Sequence, residues 1–283
     1  MERKKVTIHD LLAKKKEGKK ITMLTAYDCS MASFIDQAGI DMILVGDSLG
    51  MVVLGYDSTV PVTMEEMIHH CKAVRRGMRF AFLVGDMPFM SYNISREEAI
   101  RNAGRFMKEA GCDSVKLEGG LEVTETVRAI VEAGIPVVAH IGLTPQTVGK
   151  LGGFRVQGKD RASAQRLLDS ALALEEAGAC SVVMEAIPDK LAGLISKSLK
   201  IPTIGIGAGP ECDGQVLVTN DLLGLFEKFL PKFVKQYVKL FPKIKETIET
   251  YKQEVEAGKF PGPEHSFVME AKELKGLKPK SKK

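Results

Sequence analysis

The 283-residue sequence contains no tryptophan, and its aromatic residues make up only 6% of the chain. It also lacks a long apolar run, since no segment approaches the roughly 20 apolar residues of a membrane-spanning helix. The first residues, MERKKVTIHD, contain no apolar core of the kind found in secretory signal peptides. We therefore expect a cytoplasmic protein that does not associate with membranes.

The cysteines show no pairing pattern. There are five of them, an odd number, and no two form a Cys-x-x-Cys pair. This distribution is not typical of a disulfide framework, and a chain of this length can bury a core without such cross-links. We expect the five cysteines to be unpaired thiols that pack as small buried side chains in a reducing compartment. The residues are Cys29, Cys71, Cys112, Cys180 and Cys212.

A strong charge of either sign is absent as well, because the net charge is only +4. Lysines cluster at residues 14–20 and again in the tail at residues 278–283. A nucleic-acid-binding patch is one interpretation, but no basic helix with interleaved aromatic residues accompanies these lysines. A solvated loop and a solvated terminus explain them better, and we expect no nucleic-acid partner.

Apolar strand-like runs alternate with amphipathic helical stretches from residue 21 to about residue 225. This alternation predicts βαβ units, and eight such runs fit a closed (β/α)8 TIM barrel better than an open sheet. The predicted strands cover residues 21–26, 42–46, 80–86, 114–117, 137–140, 181–185, 203–206 and 215–218.

Helix-terminal signals lie between these strands. Thr63 with Glu66, and Ser95 with Glu98, have the spacing of a capping box, in which two side chains bond reciprocally to backbone N–H groups. Three Ala-Gly pairs predict helix ends, because glycine readily adopts the left-handed conformation that often ends a helix. Each pair is followed closely by a predicted strand. These glycines are Gly111, Gly134 and Gly178.

The predicted domain organisation is a single barrel domain over residues 1–267. A short helix around residues 7–12 would close the N-terminal face of the barrel. Residues 229–251, rich in lysine and aromatic residues and interrupted by two prolines, predict a C-terminal helical appendage that forms an oligomer contact. The lysine-rich tail at residues 268–283 is expected to be disordered.

Polar residues follow the apolar runs of five predicted strands. In a parallel α/β barrel, the C-terminal ends of the strands build the active site. Several carboxylates at that position repel one another unless a cation binds them or one is protonated. The pattern therefore predicts a metal-dependent enzyme. The residues are Asp47, Asp86, Glu118, His140 and Glu185.

Asp47 and Asp86 each follow a Val-Gly pair, in which the glycine allows the backbone to approach a ligand closely. Two aspartates without clustered cysteines or a second histidine form a hard-oxygen site, which favours Mg²⁺ over Zn²⁺. The alternative is that each aspartate caps the helix or turn that follows it.

Lys116 and Glu118 lie two residues apart on a predicted strand, so both side chains face the same side. Val115 and Leu117 then face the helices. Because a lysine inside a barrel is costly unless it is paired or used, two interpretations remain. In the first, the two residues form a structural ion pair. In the second, Lys116 supplies a cation for a substrate carboxylate, and Glu118 is a carboxylate on the metal side.

Glu185 ends an apolar strand, which suits a general acid or base; a metal ligand and a buried salt bridge are the alternatives. His140 ends another strand and fits either a hydrogen-bonded structural residue or a supporting catalytic one. The segment GIGAG at residues 205–209 lacks both the G-x-G-x-x-G spacing and the P-loop lysine. We interpret it as a tight turn that lines the pocket.

Seven longer segments form a pattern that is far more specific than any single glycine motif. They are LTAYD at residues 24–28, VGDSLGMVVLGYDSTVPVT at 45–63, GDMPFMSY at 85–92, VKLEGG at 115–120, HIGLTPQ at 140–146, GGFRVQGK at 152–159 and TIGIGAGPECDGQVLV at 203–218. Together they closely resemble the ketopantoate hydroxymethyltransferase family. The resemblance covers nearly the whole chain to about residue 267.

This resemblance implies a barrel of the phosphoenolpyruvate/pyruvate superfamily, Mg²⁺ as cofactor and a homodecamer of two pentamers. The implied reaction moves a hydroxymethyl group from the co-substrate 5,10-methylenetetrahydrofolate to 3-methyl-2-oxobutanoate through a Mg-stabilised enolate. The product would be 2-dehydropantoate, for pantothenate and coenzyme A synthesis. The residues that contact the folate are left open.

The resemblance also implies roles for individual residues. Asp47 and Asp86 match the metal-binding aspartates, which also contact the substrate, and Glu118 matches a third carboxylate on the metal side. Ser48 and Lys116 match substrate-binding residues. The catalytic base corresponds to Glu185, with His140 as a supporting residue.

Two alternative functions are compatible with the strand-end carboxylates. One is a Mg²⁺-dependent C–C lyase or mutase of the same superfamily, which shares the enolate chemistry. Such lyases carry a reactive cysteine in a flexible loop, whereas Cys112 and Cys180 precede strands, at the opposite face of the barrel. The other is a non-catalytic oligomeric scaffold that binds a metabolite.

Overall fold

The computed structural model describes residues 3–151, 153, 155–226 and 230–278. Eight parallel strands close into a barrel in which each strand pairs with the next one in sequence and the last pairs with the first. This closure confirms the predicted (β/α)8 TIM barrel. The strands are β1 Ile21–Thr25, β2 Met42–Val45, β3 Phe82–Asp86, β4 Ser114–Glu118, β5 Val137–Gly142, β6 Ser181–Glu185, β7 Thr203–Ile206 and β8 Gly214–Leu217.

Helices alternate with the strands through most of the barrel. They are α1 Ile8–Lys16, α2 Cys29–Gln37, α3 Leu49–Val52, α4 Met64–Gly77, α5 Arg96–Ala110, α6 Thr124–Glu132, α7 Val148–Leu151, α8 Arg161–Glu176, α9 Asp189–Ser198, α10 Thr219–Leu222, α11 Leu240–Glu256 and α12 Ala271–Leu274. Single 3₁₀ turns cover Leu121–Val123, Pro145–Thr147 and Pro263–His265.

The predicted helix ends are largely confirmed. Thr63 and Glu66 form the complete capping box at the start of α4. At α5, the Ser95 hydroxyl accepts from the Glu98 N–H at 3.1 Å, and the described chain shows only this half of the box. The three glycines expected to end helices all have positive φ. They are Gly111, Gly134 and Gly178, with φ of 65°, 86° and 96°.

Strand β3 begins at Phe82, two residues later than the sequence predicted. The reason is the buried carboxylate of Asp36, which accepts hydrogen bonds from the backbone N–H groups of Arg79, Phe80 and Ala81. Because these donors already have partners, the segment before Phe82 does not join the barrel ladder.

Alternating side chains divide the apolar residues into two layers. One layer fills the barrel, and the other packs strands against helices, so that Val115 and Leu117 lie on the helix side as predicted. Leu11 of α1 is only 2% exposed and belongs to the layer inside the barrel. Helix α1 therefore closes the N-terminal face of the barrel.

The chain divides into two compact units, Met1–Tyr237 and Val238–Lys283. The first contains the barrel. In the second, α11 forms a helical appendage as predicted, but it covers residues 240–256 instead of 229–251. Pro242 lies in its first turn, where a missing N–H breaks no helical bond. The described part of the lysine-rich tail is exposed and includes α12, whereas residues 279–283 lie outside the described residues. The disorder of the tail therefore stays a prediction.

Among the described residues, no helix combines the length and the apolar character that crossing a membrane requires.

Candidate active site

A cavity of about 540 Å³ lies at the C-terminal ends of the barrel strands, within the first unit. Its volume is in the range of small-molecule sites. Every residue that the sequence analysis assigned to the site lines this cavity. These residues are Asp47, Ser48, Asp86, Lys116, Glu118, His140 and Glu185.

The ammonium group of Lys116 lies among the acidic residues. Strand register pairs Asp86 with Lys116 and Glu118 with His140, so side chains from three neighbouring strands meet. Nζ of Lys116 lies 2.8 Å from Oδ1 of Asp86 and 3.4 Å from Oε1 of Glu118. The same Nζ lies 3.4 Å from Nδ1 of His140. The structural ion pair that the sequence left open is therefore present, inside the cavity.

The two aspartates are adjacent at the ends of β2 and β3. The backbone N–H of Asp47 donates to Oδ2 of Asp86 at 3.0 Å, and the amide of Gln146 donates to Oδ2 of Asp47 at 2.9 Å. Neither aspartate is an N-cap of a helix in the described chain. Both carboxylates instead face the cavity.

The charges of the site do not balance. Burial raises the pKa of Asp47 well above its usual value, and the charges of Asp86 and Glu118 raise it further. Burial also raises the pKa of Asp86, against the opposing effect of Lys116. Burial disfavours the charged form of Lys116, but the surrounding carboxylates hold its pKa above the usual value. Lys116 and a protonated His140 thus face several carboxylates, and either a further cation or protonation of a carboxylate would offset the excess negative charge.

The donor set of Asp47 and Asp86 fits Mg²⁺. Oδ1 of Asp86 is buried and forms an ion pair with Lys116, but its geometry gives it no hydrogen bond. The described residues contain no group of three or more His, Cys, Asp or Glu side chains arranged to hold a metal ion. Mg²⁺ needs no such group, because it keeps several waters and is commonly bound by one or two carboxylates.

Glu118 is engaged by the protein through both carboxylate oxygens. Oε1 lies 3.4 Å from Lys116 and 3.3 Å from Nδ1 of His140, and Oε2 accepts from the Gln146 N–H at 3.1 Å. Burial raises the pKa of Glu118, but Lys116 and His140 outweigh it and hold the pKa below its usual value. This arrangement favours an indirect role for Glu118 beside the metal.

His140 connects Glu118 to Glu185. Its Nδ1 faces Glu118, and its Nε2 lies 3.4 Å from Oε2 of Glu185. Burial and Lys116 lower the pKa of His140, but its two carboxylate partners outweigh them and raise it to about 9. A protonated His140 therefore attracts both carboxylates electrostatically, although the geometry gives its Nε2 no hydrogen bond among the described residues.

The backbone around Glu185 is held in an unusual geometry. The carbonyl of Glu185 accepts from the Leu143 N–H at 2.9 Å, and it passes so close to Gly142 that a Cβ there would collide with it. Gly142 also has φ of 98°, and Ala186 adopts φ of 47°, a left-handed conformation that alanine rarely takes. Strain of this kind clusters at functional sites.

Ser48 lies between the cavity and a tyrosine. Its Oγ is 2.9 Å from the hydroxyl of Tyr27, whose side chain is buried. Of the GIGAG turn, Ile206 lines the cavity, while Gly207 and Gly209 have φ of 64° and 79°. This agrees with the turn interpretation of that segment.

Sequence reasoning missed Gln146 and Tyr92. The Gln146 amide donates to Asp47 and to the carbonyl of Met87, both at 2.9 Å, and its Oε1 accepts from the Tyr92 hydroxyl at 2.6 Å. The Glu118 N–H donates to the same hydroxyl at 3.2 Å. Both residues lie in the quoted motifs, but only the folded loops show that Gln146 holds the carboxylates and that Tyr92 holds Gln146.

The family model for Ketopantoate hydroxymethyltransferase matches residues 5–263 of this chain. The chain is 60% identical over 274 residues to the 3-methyl-2-oxobutanoate hydroxymethyltransferase of Heliobacterium modesticaldum, covering 97% of this chain and 99% of the relative. It is 58% identical over 273 residues to the enzyme of that name from Syntrophomonas wolfei, covering 96% and 99%.

Solved structures share the barrel at much lower identity. Phosphonopyruvate hydrolase superposes with a TM-score of 0.61 at 13% identity, covering 95% of this chain and 93% of that one. 2,3-Dimethylmalate lyase, a PEP mutase/isocitrate lyase superfamily member, gives 0.57 at 15% identity, covering 94% and 92%. At such identities the likeness shows the fold alone.

Proposed function

Because this chain belongs to the ketopantoate hydroxymethyltransferase family, we infer that its barrel cavity is the site where 3-methyl-2-oxobutanoate receives a hydroxymethyl group. The protein is an enzyme of pantothenate biosynthesis, and the product is 2-dehydropantoate. The observation that carries the site assignment is the convergence of Asp47, Asp86, Lys116 and Glu185 on one cavity.

Mg²⁺ is the metal that we propose for Asp47 and Asp86. The buried, charge-imbalanced carboxylates support it, and a phosphonopyruvate hydrolase structure of the same fold is described as a complex with oxalate and Mg²⁺. When bound, Mg²⁺ would act as a Lewis acid that favours negative charge on the oxygens of a 2-oxo acid.

The residues of the chain account for the proton step. Lys116 would offset the negative charge of the substrate, and Ser48 would donate a hydrogen bond to it. Glu185 lines the cavity and forms no ion pair with Lys116 in the described chain, so it would remove the C3 proton of the keto acid. His140, 3.4 Å away, would hold the Glu185 carboxylate in position.

The one-carbon donor that we propose is 5,10-methylenetetrahydrofolate. The enolate carbon formed by proton removal would attack the methylene carbon of the folate. Water would then supply the hydroxyl oxygen, and tetrahydrofolate would leave. The cavity of about 540 Å³ supports this proposal, since its volume is within the range of sites that hold drug-sized ligands.

We propose a homo-oligomer, a decamer of two pentamers, in the cytoplasm. Helix α11 supports self-association, since apolar side chains recur along it at a spacing of three to four residues and are all at least 41% exposed. They are Phe241, Ile244, Ile248, Tyr251 and Val255.

Product formation tests the proposed function. Purified protein incubated with 3-methyl-2-oxobutanoate, 5,10-methylenetetrahydrofolate and Mg²⁺ should form 2-dehydropantoate, and omission of any one component should abolish it. Folate-independent cleavage of a C–C bond in an oxaloacetate-like acid would instead indicate a lyase. Binding of the keto acid without turnover under all conditions would indicate a non-catalytic scaffold.

A further inference from the structure

Asp221 is a buried carboxylate of the cavity that the proton step does not use. Its side chain is 7% exposed and lines the same cavity as the predicted site residues. Among the residues that the structure describes, no side chain or backbone N–H pairs with its carboxylate. Burial alone raises the pKa of Asp221, to about 6. Because this carboxylate lines the cavity without a donor from the described part of the chain, it is placed to accept hydrogen bonds from a bound ligand.

The position of Asp221 is fixed by the barrel. It lies in the short helix α10, directly after β8. The preceding Thr219 donates its hydroxyl to the carbonyl of Thr25 at 2.5 Å, and its N–H donates to the Thr25 hydroxyl at 3.0 Å. These bonds join α10 to the end of β1, so the Asp221 carboxylate is held on a rigid element.

The negative charge of Asp221 excludes the anionic groups of the keto acid and of the folate as its binding partners. The carboxylate of the keto acid and the glutamate tail of a folate are both anionic and would be repelled. The pterin ring differs, because its ring N–H and its 2-amino group are neighbouring donors. Two parallel donors match the two oxygens of one carboxylate.

Part of the cavity lining suits a flat heterocycle, although Arg155 and Lys232 also line the cavity. Phe226 and Phe233 line the cavity together with Val216 and Val218, which flank the end of β8. Aromatic and aliphatic side chains of this kind pack against the faces of a ring, while a single polar group at its edge sets the orientation.

We propose that Asp221 binds the pterin ring of the folate co-substrate by accepting hydrogen bonds from its ring N–H and 2-amino group. This assignment rests on the proposed function, which supplies the folate. It divides the cavity into a keto acid subsite around Lys116 and a pterin subsite at Asp221.

The variant Asp221→Asn tests the assignment, because asparagine keeps the shape but replaces one acceptor by a donor. Its affinity for tetrahydrofolate and for 6-methyltetrahydropterin should fall by about tenfold to a hundredfold, as expected for a lost bond to a charged group. Its affinity for p-aminobenzoylglutamate, which has no pterin, should stay within about twofold of that of the wild-type chain. Unchanged tetrahydropterin affinity would overturn the proposal.

Asp28→Asn is the matched control. Asp28 is exposed and caps α2 by accepting from the Met31 N–H at 2.8 Å, a role that asparagine fills equally well. This control should bind all three ligands like the wild type. If it loses tetrahydropterin affinity as Asp221→Asn does, the effect is not specific to Asp221 and the proposal fails.

A ligand-side measurement on the unaltered chain does not depend on the folding of a variant. The wild type should prefer 6-methyltetrahydropterin over its analogue without the 2-amino group by about tenfold or more. Equal binding of the two ligands would contradict the proposal.

Exchange of the C3 hydrogen of the keto acid for deuterium separates this proposal from the function on which it rests. Asp221→Asn should still catalyse that folate-independent exchange. If the variant lost both the exchange and the binding of pterins, Asp221 would instead contact the keto acid or stabilise the fold, and the proposal would fail. A wild-type chain that shows neither exchange nor product would instead disprove the proposed function.

Discussion

Lys116 and its carboxylate neighbours show how single residues define this site. The ammonium group is 2.8 Å from Asp86, while Asp47 reaches the same cluster through its backbone N–H. Strand ends alone identified these residues, because inward-facing polar side chains inside a barrel have few structural explanations. Gln146 could not be assigned in the same way, since its contacts depend on how the loop after β5 folds back.

Removing the charge of Asp86 tests the metal assignment. Asp86→Asn should weaken Mg²⁺ binding by about tenfold or more, because one of two proposed anionic ligands becomes neutral. Isothermal titration calorimetry measures this directly. Asp169→Asn, at an exposed position of α8, is the control and should bind Mg²⁺ like the wild type. If Asp86→Asn kept wild-type Mg²⁺ affinity, Asp86 would not be a ligand.

At the scale of elements, the alternation of apolar runs predicted the barrel, and the capping signals predicted the starts of α4 and α5 and the ends of α5, α6 and α8. The start of β3 could not be read from the sequence, because it depends on Asp36, which is distant in sequence and satisfies the backbone before Phe82. Asp221 was missed for a similar reason. It follows β8 by a few residues, and only its burial in the cavity distinguishes it from a surface aspartate.

Helix α1 closes the bottom of the barrel, and Leu11 is the residue through which it does so. Leu11→Ala should lower the free energy of unfolding by about 2–5 kcal/mol, because it removes buried apolar volume and leaves a cavity. Leu194→Ala, at a position that is 52% exposed, should change it much less. Chemical denaturation at equal protein concentration compares the two. Equal losses would mean that α1 does not seal the core.

At the scale of the whole molecule, an apolar stripe on α11 motivates the proposed homo-oligomer. Its five apolar residues are each at least 41% exposed, and contiguous exposed apolar patches often mark protein–protein contacts. Composition had predicted a helical appendage there.

A charge placed in that stripe should disrupt assembly. Ile248 is 62% exposed, and Ile248→Glu should reduce the mass of the particle from about ten times the 30.9 kDa chain to a smaller species. The physical reason is the cost of burying an unpaired carboxylate in an apolar contact. Thr250→Glu lies on the other side of α11 and should leave the mass unchanged. Light scattering that shows a monomeric wild type would contradict the homo-oligomer.

Hydrogen–deuterium exchange at C3 of 3-methyl-2-oxobutanoate tests the central claim most directly, because it isolates proton removal from folate chemistry. In D₂O with Mg²⁺ and no folate, the wild-type enzyme should exchange this hydrogen. Glu185→Gln keeps the shape of the side chain but not the proton acceptor, so it should bind the keto acid and exchange about 10²–10⁴-fold more slowly. Exchange by Glu185→Gln at the wild-type rate would show that another group takes the proton, and the assignment of Glu185 as the base would be wrong.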